Sequence, residues 1–471
     1  MTLQVFNTLT RKIELLIPKN EGKIELYVCG PTVYDYSHIG HARTYIAFDV
    51  IVRYLRYRGF EVRYVVNITN VEDKIIKRAQ EIGVDPIALA DKFEGAFYQD
   101  MENLGVVPAD LYPRVSDNIG EIIHMVQVLI QKEFGYVLEG DVYFDVSKFR
   151  DYGHLSRQSL DGIKAGARVE VDERKRSPAD FALWKRAKEG EICWESPWGK
   201  GRPGWHIECS AMANKHLSST FDLHGGGQDL IFPHHENEIA QSEAYTGEKP
   251  VVKYWLHSGL LTINGEKMSK SLGNFILIKD LLQKYDAEVI RLFILSTHYR
   301  RPIDFTDVHL ERAKQHLMRI RGTIENIQDR LILASATAKR TLHDAEVEKQ
   351  IQDEKAKFLE VMDNDFNTPR ALATFTMLIQ IGNKALATTV HKSVLSHLLT
   401  SILELAQIFG ILGQTKKKVD LSEEAKILMK EREAARNRRD WKKADELREK
   451  LRSIGLILED LPEGTRWRAE E

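Results

Sequence analysis

Hydrophobic residues in the first hundred positions alternate between strand-like and helix-like patterns. The short apolar runs at Lys23–Val28 and Glu61–Ile68 are typical of buried strands, whereas apolar residues recur at helical spacing between Thr44 and Arg58. A second helical pattern runs from Val71 to Ile82. Because strand, helix and strand in this order form a βαβ unit, the pattern predicts an α/β protein with a doubly wound parallel sheet.

The same criteria divide the chain into six segments. After residues 1–116, residues 117–204 have the pattern of an insertion, with one helix and two short strands. In the segment 205–260, strand-and-loop texture returns at Trp205–Met212, and Phe221–Glu238 then leads into a helix through Glu243. Residues 261–306 form the next segment. Residues 307–415 are helical almost throughout, which predicts an antiparallel bundle. Residues 416–471 offer two polar helices, Ser422–Asn437 and Trp441–Ser453, and a strand at Leu456–Leu458.

Composition narrows the class of protein. A chain of 471 residues is too long for one core. Its net charge of −2 means that any contact with nucleic acid depends on local basic patches. The three widely spaced cysteines favour a reducing compartment. Since no cationic leader and no apolar run of about 18 residues are present, we expect a cytoplasmic protein without a membrane span.

The first candidate site lies at the turn between the first predicted strand and helix. Cys29 and Gly30 follow the strand, and His38, Gly40 and His41 precede the helix. Free backbone N–H groups at such a helix start can bind an anion, and histidine side chains can donate hydrogen bonds to a phosphate. The alternative is an ordinary helix N-terminus with two surface histidines.

The second candidate is the loop Gly265–Asn274, which contains Lys267, Met268 and Lys270. Two ammonium groups on a glycine-flanked loop can stabilise the charge that develops on a triphosphate during nucleotidyl transfer. Taken alone, a loop of lysine and serine is more often a solvated turn.

Together, His38-Ile-Gly-His41 and Lys267-Met-Ser-Lys-Ser271 resemble the two signatures of class I aminoacyl-tRNA synthetases. The runs Cys29–Asp35, Gly204–Met212 and Asp222–Glu238 are similar to the cysteinyl-tRNA synthetase family, and the tail from Arg439 to Trp467 is similar to its C-terminal module. The resemblance covers essentially the whole chain. It departs from the expected pattern at Asn70, Glu72 and Gln228.

The resemblance implies a function for each segment. Residues 1–116 and 205–260 would be two halves of a Rossmann-like catalytic domain, separated by the connective insertion at 117–204. Residues 261–306 would contact the tRNA stem and carry the lysine loop. The bundle at 307–415 and the module at 416–471 would meet the tRNA stem and the anticodon. The implied enzyme is a ligase that joins L-cysteine to tRNA(Cys) with ATP, and we expect a monomer.

The resemblance also implies roles for individual residues. Catalysis would depend on His38, His41, Lys267 and Lys270. ATP, with Mg²⁺, would contact the histidines, Lys270, Gly40, Gly225, Gly226, Gly227 and Met268. The cysteine substrate would contact Gly30, Thr69, Trp205 and His206, with Asp229 binding its ammonium group.

Cys29, Cys209, His234 and Glu238 match the zinc ligands of the family. Zinc favours thiolate and imidazole and accepts carboxylate. His234 and Glu238 are four residues apart and would face the same way on a helix. Spacing alone does not identify a zinc site here, and His235 could replace His234. Cys193 would not take part, and no editing site is expected because a metal–thiolate bond would already exclude serine.

Two other functions stay open at this point. A ligase that joins cysteine to an amino sugar would share the catalytic half but lack the C-terminal module. A degenerate RNA-binding or regulatory relative would have lost the signature residues. Trp441 and Trp467 could stack on bases, although core positions in the small module are favoured for both.

Overall fold

The computed structural model describes residues 3–159, 174–268, 273–333, 340–413, 423–454, 456–461 and 464–469. Its internal contacts divide the chain into two units. The first unit contains residues 1–315, 357–373 and 408–410, and the second contains residues 316–356, 374–407 and 411–471. Among the described helices, none combines the length and the apolar character that crossing a membrane requires.

The first unit is an α/β structure with an inserted antiparallel sheet. Its elements in chain order are β1 (Gln4–Asn7), β2 (Lys12–Leu15), β3 (Lys23–Val28), α1 (Ile39–Tyr57), β4 (Glu61–Val66), α2 (Asp73–Ile82), α3 (Pro86–Asn103), α4 (Ile119–Gln131), β5 (Gly135–Leu138), β6 (Asp141–Phe144), β7 (Phe181–Arg186), β8 (Gly201–Pro203), α5 (Trp205–His216), β9 (Phe221–Gly227), α6 (Glu236–Thr246), β10 (Val252–Ser258), β11 (Leu261–Ile263), β12 (Glu266–Lys267), α7 (Ile278–Leu282), α8 (Ala287–Leu295) and β13 (Ile303–Phe305).

A four-stranded parallel sheet forms the centre of the first unit, with the strand order β10-β9-β3-β4. The predicted α/β class and its parallel sheet are therefore confirmed. The carboxyl ends of β3 and β4 are fully buried over their last three residues, which explains why both strands have continuous apolar runs there. Helix α1 packs against the sheet with Ile46, Val50 and Leu55, all at most 1% exposed.

The insertion contains more regular structure than the sequence predicted. The two expected strands are β5 and β6, and they continue into an antiparallel sheet with the order β5-β6-β7-β8. Of the polar run 165–177, residues 165–173 lie outside the described part of the chain. Within the described part, Arg174 pairs with Glu139 and Arg176 with Asp145, as expected for a charged surface.

The prediction for Trp205–Met212 is wrong, because these residues form the first two turns of α5 rather than strand and loop. Apolar and polar residues of this helix are buried alike: Ile207 and Glu208 are 0% exposed and Ser210 is 1% exposed. The middle of α5 is covered on every side and has no polar face, so its sequence lacks the usual helical periodicity, whereas Lys215 in the last turn is exposed.

The remaining elements are helical apart from one hairpin. They are α9 (Asp307–Leu333), α10 (Leu342–Asp363), α11 (Thr368–Leu386), α12 (Lys392–Phe409), α13 (Glu423–Asn437), α14 (Trp441–Ser453), β14 (Leu456–Leu461) and β15 (Gly464–Ala469). The predicted interruptions near residues 364–368 and 391–393 are confirmed, whereas the one at 334–338 lies outside the described residues.

The tail has a small core of its own within the second unit. Ala425, Leu451, Leu456 and Leu458 are each at most 7% exposed and form one cluster. Trp441 does not belong to it, because 59% of its surface is exposed, and the prediction of a core position is wrong for this residue. The side chain of Trp467 lies outside the described part of the structure.

Candidate active site

The carboxyl ends of the parallel strands meet at one edge of the sheet, and most predicted site residues lie there. Cys29 and Gly30 directly follow β3, and Thr69 lies three residues beyond the end of β4. β9 ends in the glycine run at Gly227, and β10 ends at Ser258. Ligands of doubly wound folds bind at this edge.

His38 and His41 both use Nδ1 to cap the start of α1. His38 Nδ1 accepts a hydrogen bond from the Gly40 N–H, and His41 Nδ1 accepts one from the His38 N–H, both at 3.1 Å. The two rings are stacked with their centroids 3.8 Å apart. Because each neutral ring accepts at Nδ1, its proton is on Nε2, which is therefore a hydrogen-bond donor.

The protein environment keeps His41 in this neutral form. Desolvation, with a smaller contribution from neighbouring His38, holds the pKa of His41 well below its ordinary value. The pair therefore provides directed N–H donors instead of a cationic cluster. Contrary to the prediction from the sequence, the backbone N–H groups of the first turn are not free, because those of Ile39, Gly40, His41 and Ala42 all donate to groups within the chain.

The residues that follow the lysine loop are hydrogen-bonded to the start of α1, where His38 and His41 lie. The Ile39 N–H donates to the Ile276 carbonyl, and the Ile278 N–H donates to the Ser37 carbonyl, both at 3.0 Å. The two segments thus form a short antiparallel bridge beside His38. One end of the lysine loop is consequently fixed to the start of α1.

Met268 begins the part of the loop that approaches α1. Its Cε atom lies 3.5 Å from the position that a Cβ would take on Gly40, so two of the predicted ATP contacts are close together. Lys267 pairs through its backbone with Thr262 in the β11–β12 hairpin. The side chain of Lys267 and the whole of residues 269–272, including Lys270, lie outside the described structure.

The three glycines at the end of β9 have little room for a side chain. A Cβ on Gly225 would lie 2.3 Å from the ring of Phe48 on α1, and one on Gly227 would lie 2.4 Å from Oδ1 of Asp229. Gly226 is similarly restricted by neighbouring side chains. Close packing between β9 and α1 is therefore sufficient to explain why position 225 is a glycine. Contact of Gly225, Gly226 and Gly227 with a nucleoside stays a prediction.

Gly30 and Thr69 are joined by a network of polar groups. The Gly30 N–H donates to Asn67 Oδ1 at 2.8 Å, the Asn67 amide donates to the Thr69 hydroxyl at 3.2 Å, and that hydroxyl donates to Glu208 Oε2 at 3.3 Å. A Cβ on Gly30 would lie only 1.5 Å from the Asn67 carbonyl oxygen. Glycine is therefore required at position 30 for close approach of the two strand ends.

Trp205 and His206 surround one face of His234. The ring centroids of Trp205 and His234 are 4.5 Å apart, and Nδ1 of His206 lies 3.0 Å from Nδ1 of His234. Asp229 is not part of this group. It is exposed and lies just beyond β9, beside Gly227.

The structure brings Cys29, Cys209, His234 and Glu238 together in one buried cluster. Their donor atoms all lie within 4.8 Å of one another. The two Sγ atoms are 3.9 Å apart, Cys29 Sγ is 3.5 Å from Glu238 Oε1, and His234 Nε2 is 3.0 Å from the same oxygen. All four residues are at most 6% exposed.

The protonation of this cluster is strongly perturbed. A hydrogen bond from the Cys29 thiol lowers the pKa of Cys209 to about 6, whereas burial raises the pKa of Cys29. Although burial disfavours a charged imidazole, Glu238 and Cys209 together raise the pKa of His234 to about 10. The Cys209 thiolate and the Glu238 carboxylate outnumber the His234 imidazolium, so these groups together carry a net negative charge.

A second arrangement of possible ligands overlaps the first. Cys29, His224, His235 and Glu238 also place their donor atoms within 4.8 Å of one another. His224 Nε2 lies 2.9 Å from Glu238 Oε2, and His235 Nε2 lies 3.2 Å from Cys29 Sγ. Geometry alone therefore leaves the choice between His234 and His235 open.

Sequence reasoning missed several polar residues of the site. Asn67 and Glu208 belong to the network around Gly30 and Thr69, and the Glu208 Oε1 atom is buried without a hydrogen-bond partner among the described residues. His224 holds Glu238, and His257 hydrogen-bonds to His235 at 2.7 Å. Of these residues, Asn67 alone had a signal in the sequence, since it lies at the end of the predicted strand Glu61–Ile68.

Three family models match successive parts of the chain. A model described as "tRNA synthetases class I (C) catalytic domain" matches residues 15–315. A DALR domain model matches residues 357–413, and a model of the cysteinyl-tRNA ligase anticodon binding domain matches residues 418–468.

Similar proteins extend over the full length of the chain. Cysteine–tRNA ligase from Geobacillus sp. (strain WCH70) is 50% identical over 469 residues, which cover 99% of both chains. The corresponding ligase from Thermococcus onnurineus is 49% identical over 474 residues, with 99% of both chains covered.

Solved structures show the same fold at low identity. Mycobacterium tuberculosis methionyl-tRNA synthetase in complex with methionyl-adenylate has a TM-score of 0.62 and 15% identity, covering 82% of this chain and 89% of that one. The LeuRS of Agrobacterium radiobacter K84, in a ternary complex with tRNA and LeuAMS, has a TM-score of 0.63 and 12% identity over 84% and 85% of the two chains.

Proposed function

Because the chain belongs to the cysteinyl-tRNA synthetase family, we propose that its cluster of Cys29, Cys209, His234 and Glu238 holds zinc and selects cysteine through its sulfur. The enzyme is a cysteine–tRNA ligase. It activates L-cysteine with ATP to cysteinyl-adenylate, releases pyrophosphate, and transfers the cysteinyl group to the 3′ end of tRNA(Cys). The observation that carries the zinc proposal is the buried cluster, of the two that the described residues form, that collects two thiols, an imidazole and a carboxylate.

The distances in the cluster fit zinc. Two sulfur ligands bound at about 2.3 Å around a tetrahedral ion lie about 3.8 Å apart, and Sγ of Cys29 and Sγ of Cys209 are 3.9 Å apart. A disulfide would need about 2.05 Å. The set of two sulfur donors with nitrogen and oxygen is one that zinc prefers.

Discrimination against serine explains why such a site is useful. An apolar pocket separates near-isosteric side chains by about 1–3 kcal/mol only. When bound, zinc supplies a soft acceptor for the substrate sulfur and favours its thiolate form, whereas a serine hydroxyl is a poor ligand. The protein side chains orient the ligands: His224 holds Glu238 through Oε2, and His206 holds His234 through Nδ1.

His234 is favoured over His235 because its cluster contains both thiols, whereas the alternative cluster contains Cys29 alone. Each ring is held through Nδ1 by another histidine, so this contact does not distinguish them. His235 Nδ1 is bonded to His257 at 2.7 Å, and His257 is bonded in turn to the Thr8 hydroxyl at 2.8 Å, in a chain that fixes His235 independently of a metal.

The variants His234→Ala and His235→Ala test this assignment. We expect the His234 variant to be purified without metal and to lose cysteine-dependent ATP–pyrophosphate exchange by at least about 100-fold, in line with the loss of a ligand. The His235 variant should keep its metal, measured by mass spectrometry of the native protein. The reverse pattern would assign the metal to the second cluster, and metal retention in both variants would contradict the proposal.

The start of α1 is the proposed triphosphate site. His38 and His41 would donate from Nε2 to the phosphates at the N-terminal end of α1, where the helix dipole favours an anion. Lys267 and Lys270 would stabilise the departing pyrophosphate, whose Mg²⁺ arrives with ATP. Gly40 and Met268, whose atoms come close together, would contact the nucleotide, and the adenosine would lie along Gly225, Gly226 and Gly227.

The cysteine substrate would lie between the metal cluster and this phosphate site. Gly30, Thr69, Trp205 and His206 would line its pocket, and the polar network around Thr69 supports this assignment. Asp229 would bind the substrate ammonium group. Its exposed position beyond β9 leaves its carboxylate accessible.

We propose that the C-terminal part from residue 416 recognises the anticodon as a separate module. Its own core and the family match at residues 418–468 support this division. Between Lys430 and Arg452 it has ten basic and six acidic residues, a local excess of four positive charges. The presence of this module argues against a ligase for an amino sugar. We further propose that the enzyme is a cytoplasmic monomer.

Ending the chain after Gly413 tests the module. We expect cysteine-dependent ATP–pyrophosphate exchange to stay within about two-fold of the full-length value, while charging of tRNA(Cys) falls about 100-fold through the tRNA KM, because several phosphate and base contacts are lost. Similar losses in both assays would contradict a separate recognition role.

A further inference from the structure

Arg43 lies two residues after His41 in α1 and is 1% exposed. Its guanidinium group donates hydrogen bonds of 2.8–3.4 Å to five backbone carbonyls, and it forms no ion pair among the residues that the structure describes. The acceptors are Ile294, Thr297, His298, Tyr299 and Arg301. All five acceptors lie in one segment, residues 294–301, which therefore surrounds the Arg43 side chain of α1.

A buried cation without a carboxylate is unfavourable unless its surroundings satisfy it closely. Burial lowers the pKa of Arg43 to about 10, so the group is still charged at neutral pH. Among the described residues its charge is balanced by carbonyl dipoles alone, and these dipoles are fixed by the path of the chain. Arg43 and segment 294–301 consequently determine each other's positions.

Segment 294–301 leads into the small sheet that supports the lysine loop. β13 follows it directly and pairs with β11, and β11 pairs with β12, from which the loop departs at Met268. The Gly259 N–H also donates to the Tyr299 carbonyl at 2.7 Å, one residue after β10 ends. A displacement of segment 294–301 would thus displace the start of the loop.

The opposite side of the same segment is held by Asp365. The Asp365 carboxylate accepts a hydrogen bond from the Tyr299 hydroxyl at 2.8 Å and one from Arg300 Nε at 2.6 Å, and it lies 3.5 Å from His298. Backbone carbonyls are therefore held by Arg43, while side chains of the segment are held by Asp365.

We propose that Arg43 is a positioning residue for adenylate formation, which holds the β11–β13 strand pair, and with it the start of the lysine loop, in a fixed place relative to His38 and His41. The other end of the loop is fixed to the same helix start through Ile276 and Ile278. Both ends of the loop are then positioned relative to α1. The inference rests on the proposed roles of the two signatures.

The variants Arg43→Ala and Arg43→Lys test the proposal in the full-length, metal-loaded enzyme. Misplacing groups by about 1 Å can slow a reaction about 100-fold, and we expect this loss in kcat of ATP–pyrophosphate exchange for Arg43→Ala. The KM for cysteine should stay within about two-fold, because the metal cluster is not touched. Lysine keeps the charge but offers at most three donors, so kcat of Arg43→Lys should fall about ten-fold.

The control is Arg114→Ala on the β4 side of the sheet, which removes a guanidinium group paired with Asp91 and Glu94. It should lower the thermal unfolding midpoint while leaving kcat per active site unchanged, with active sites counted from the adenylate burst. Unchanged kcat in both Arg43 variants, or an equal loss in the control, would overturn the proposal.

If neither Arg43 variant folds, Asp365→Asn takes their place, because it loosens the segment from the opposite side without touching α1. A lower kcat with an unchanged KM for cysteine would support the proposal, and an unchanged kcat would overturn it. A wild-type enzyme without cysteine-dependent exchange would contradict the proposed function instead, and this outcome is visible before any variant is made.

Discussion

Removing the metal is expected to reduce the preference for cysteine over serine from about 10⁴ or more to about 200 or less, the range in which apolar packing discriminates near-isosteres. The preference is the ratio of kcat/KM values in ATP–pyrophosphate exchange, measured on chelator-treated enzyme. The reason is that the remaining pocket, with Trp205 and His206 beside His234, can recognise the size of the side chain but cannot separate sulfur from oxygen strongly.

Two controls accompany this measurement. Adding Zn²⁺ back should restore the preference, and mass spectrometry should show one metal per chain. The thermal unfolding midpoint of the stripped enzyme should also fall, because an ion that binds only the folded state stabilises it. A stripped enzyme that still prefers cysteine by about 10⁴ would disprove metal-based selection, whether or not its overall rate had changed.

The metal cluster illustrates how far sequence reasoning reached. Cys29 and Cys209 are separated by 180 positions, so their meeting depends on the parallel sheet and on α5, which the periodicity did not predict. The resemblance to a family supplied the four residues, and the structure brings them together. Asn67, His224 and His257 escaped prediction because each is buried and hydrogen-bonded, and a sequence does not show which polar residues a fold will bury.

Two helices of the fold, α3 and α5, were not predicted from the sequence. β3, α1 and β4 were predictable because each has a buried side and a recognisable boundary. Helix α3 was missed even though Asp85 caps it by accepting a hydrogen bond from the Ala88 N–H at 2.9 Å and Pro86 occupies its first turn. This start signal was present in the sequence, whereas α5 offered no polar face to detect.

Replacing His38 by asparagine is expected to lower kcat for adenylate formation by about 100–1,000-fold, the cost of removing one preorganised donor to a developing charge. Stability should barely change. Asparagine is a preferred N-cap residue, and its side-chain oxygen can accept the Gly40 N–H bond that His38 Nδ1 accepts in the wild type. The Nε2–H donor is lost, and the KM for cysteine should be unaffected because the metal cluster is separate.

The variant His38→Gln has the opposite effect on the two roles of this side chain, since it keeps a donor for the phosphates and loses the cap of α1. Its longer side chain can place an N–H donor near the position of Nε2, but it caps a helix poorly, so we expect higher activity than in His38→Asn together with a loss of about 1 kcal/mol in the free energy of unfolding. Urea denaturation and ATP–pyrophosphate exchange measure the two effects. If asparagine supported more activity than glutamine, capping of α1 rather than donation from Nε2 would be the catalytic contribution of His38.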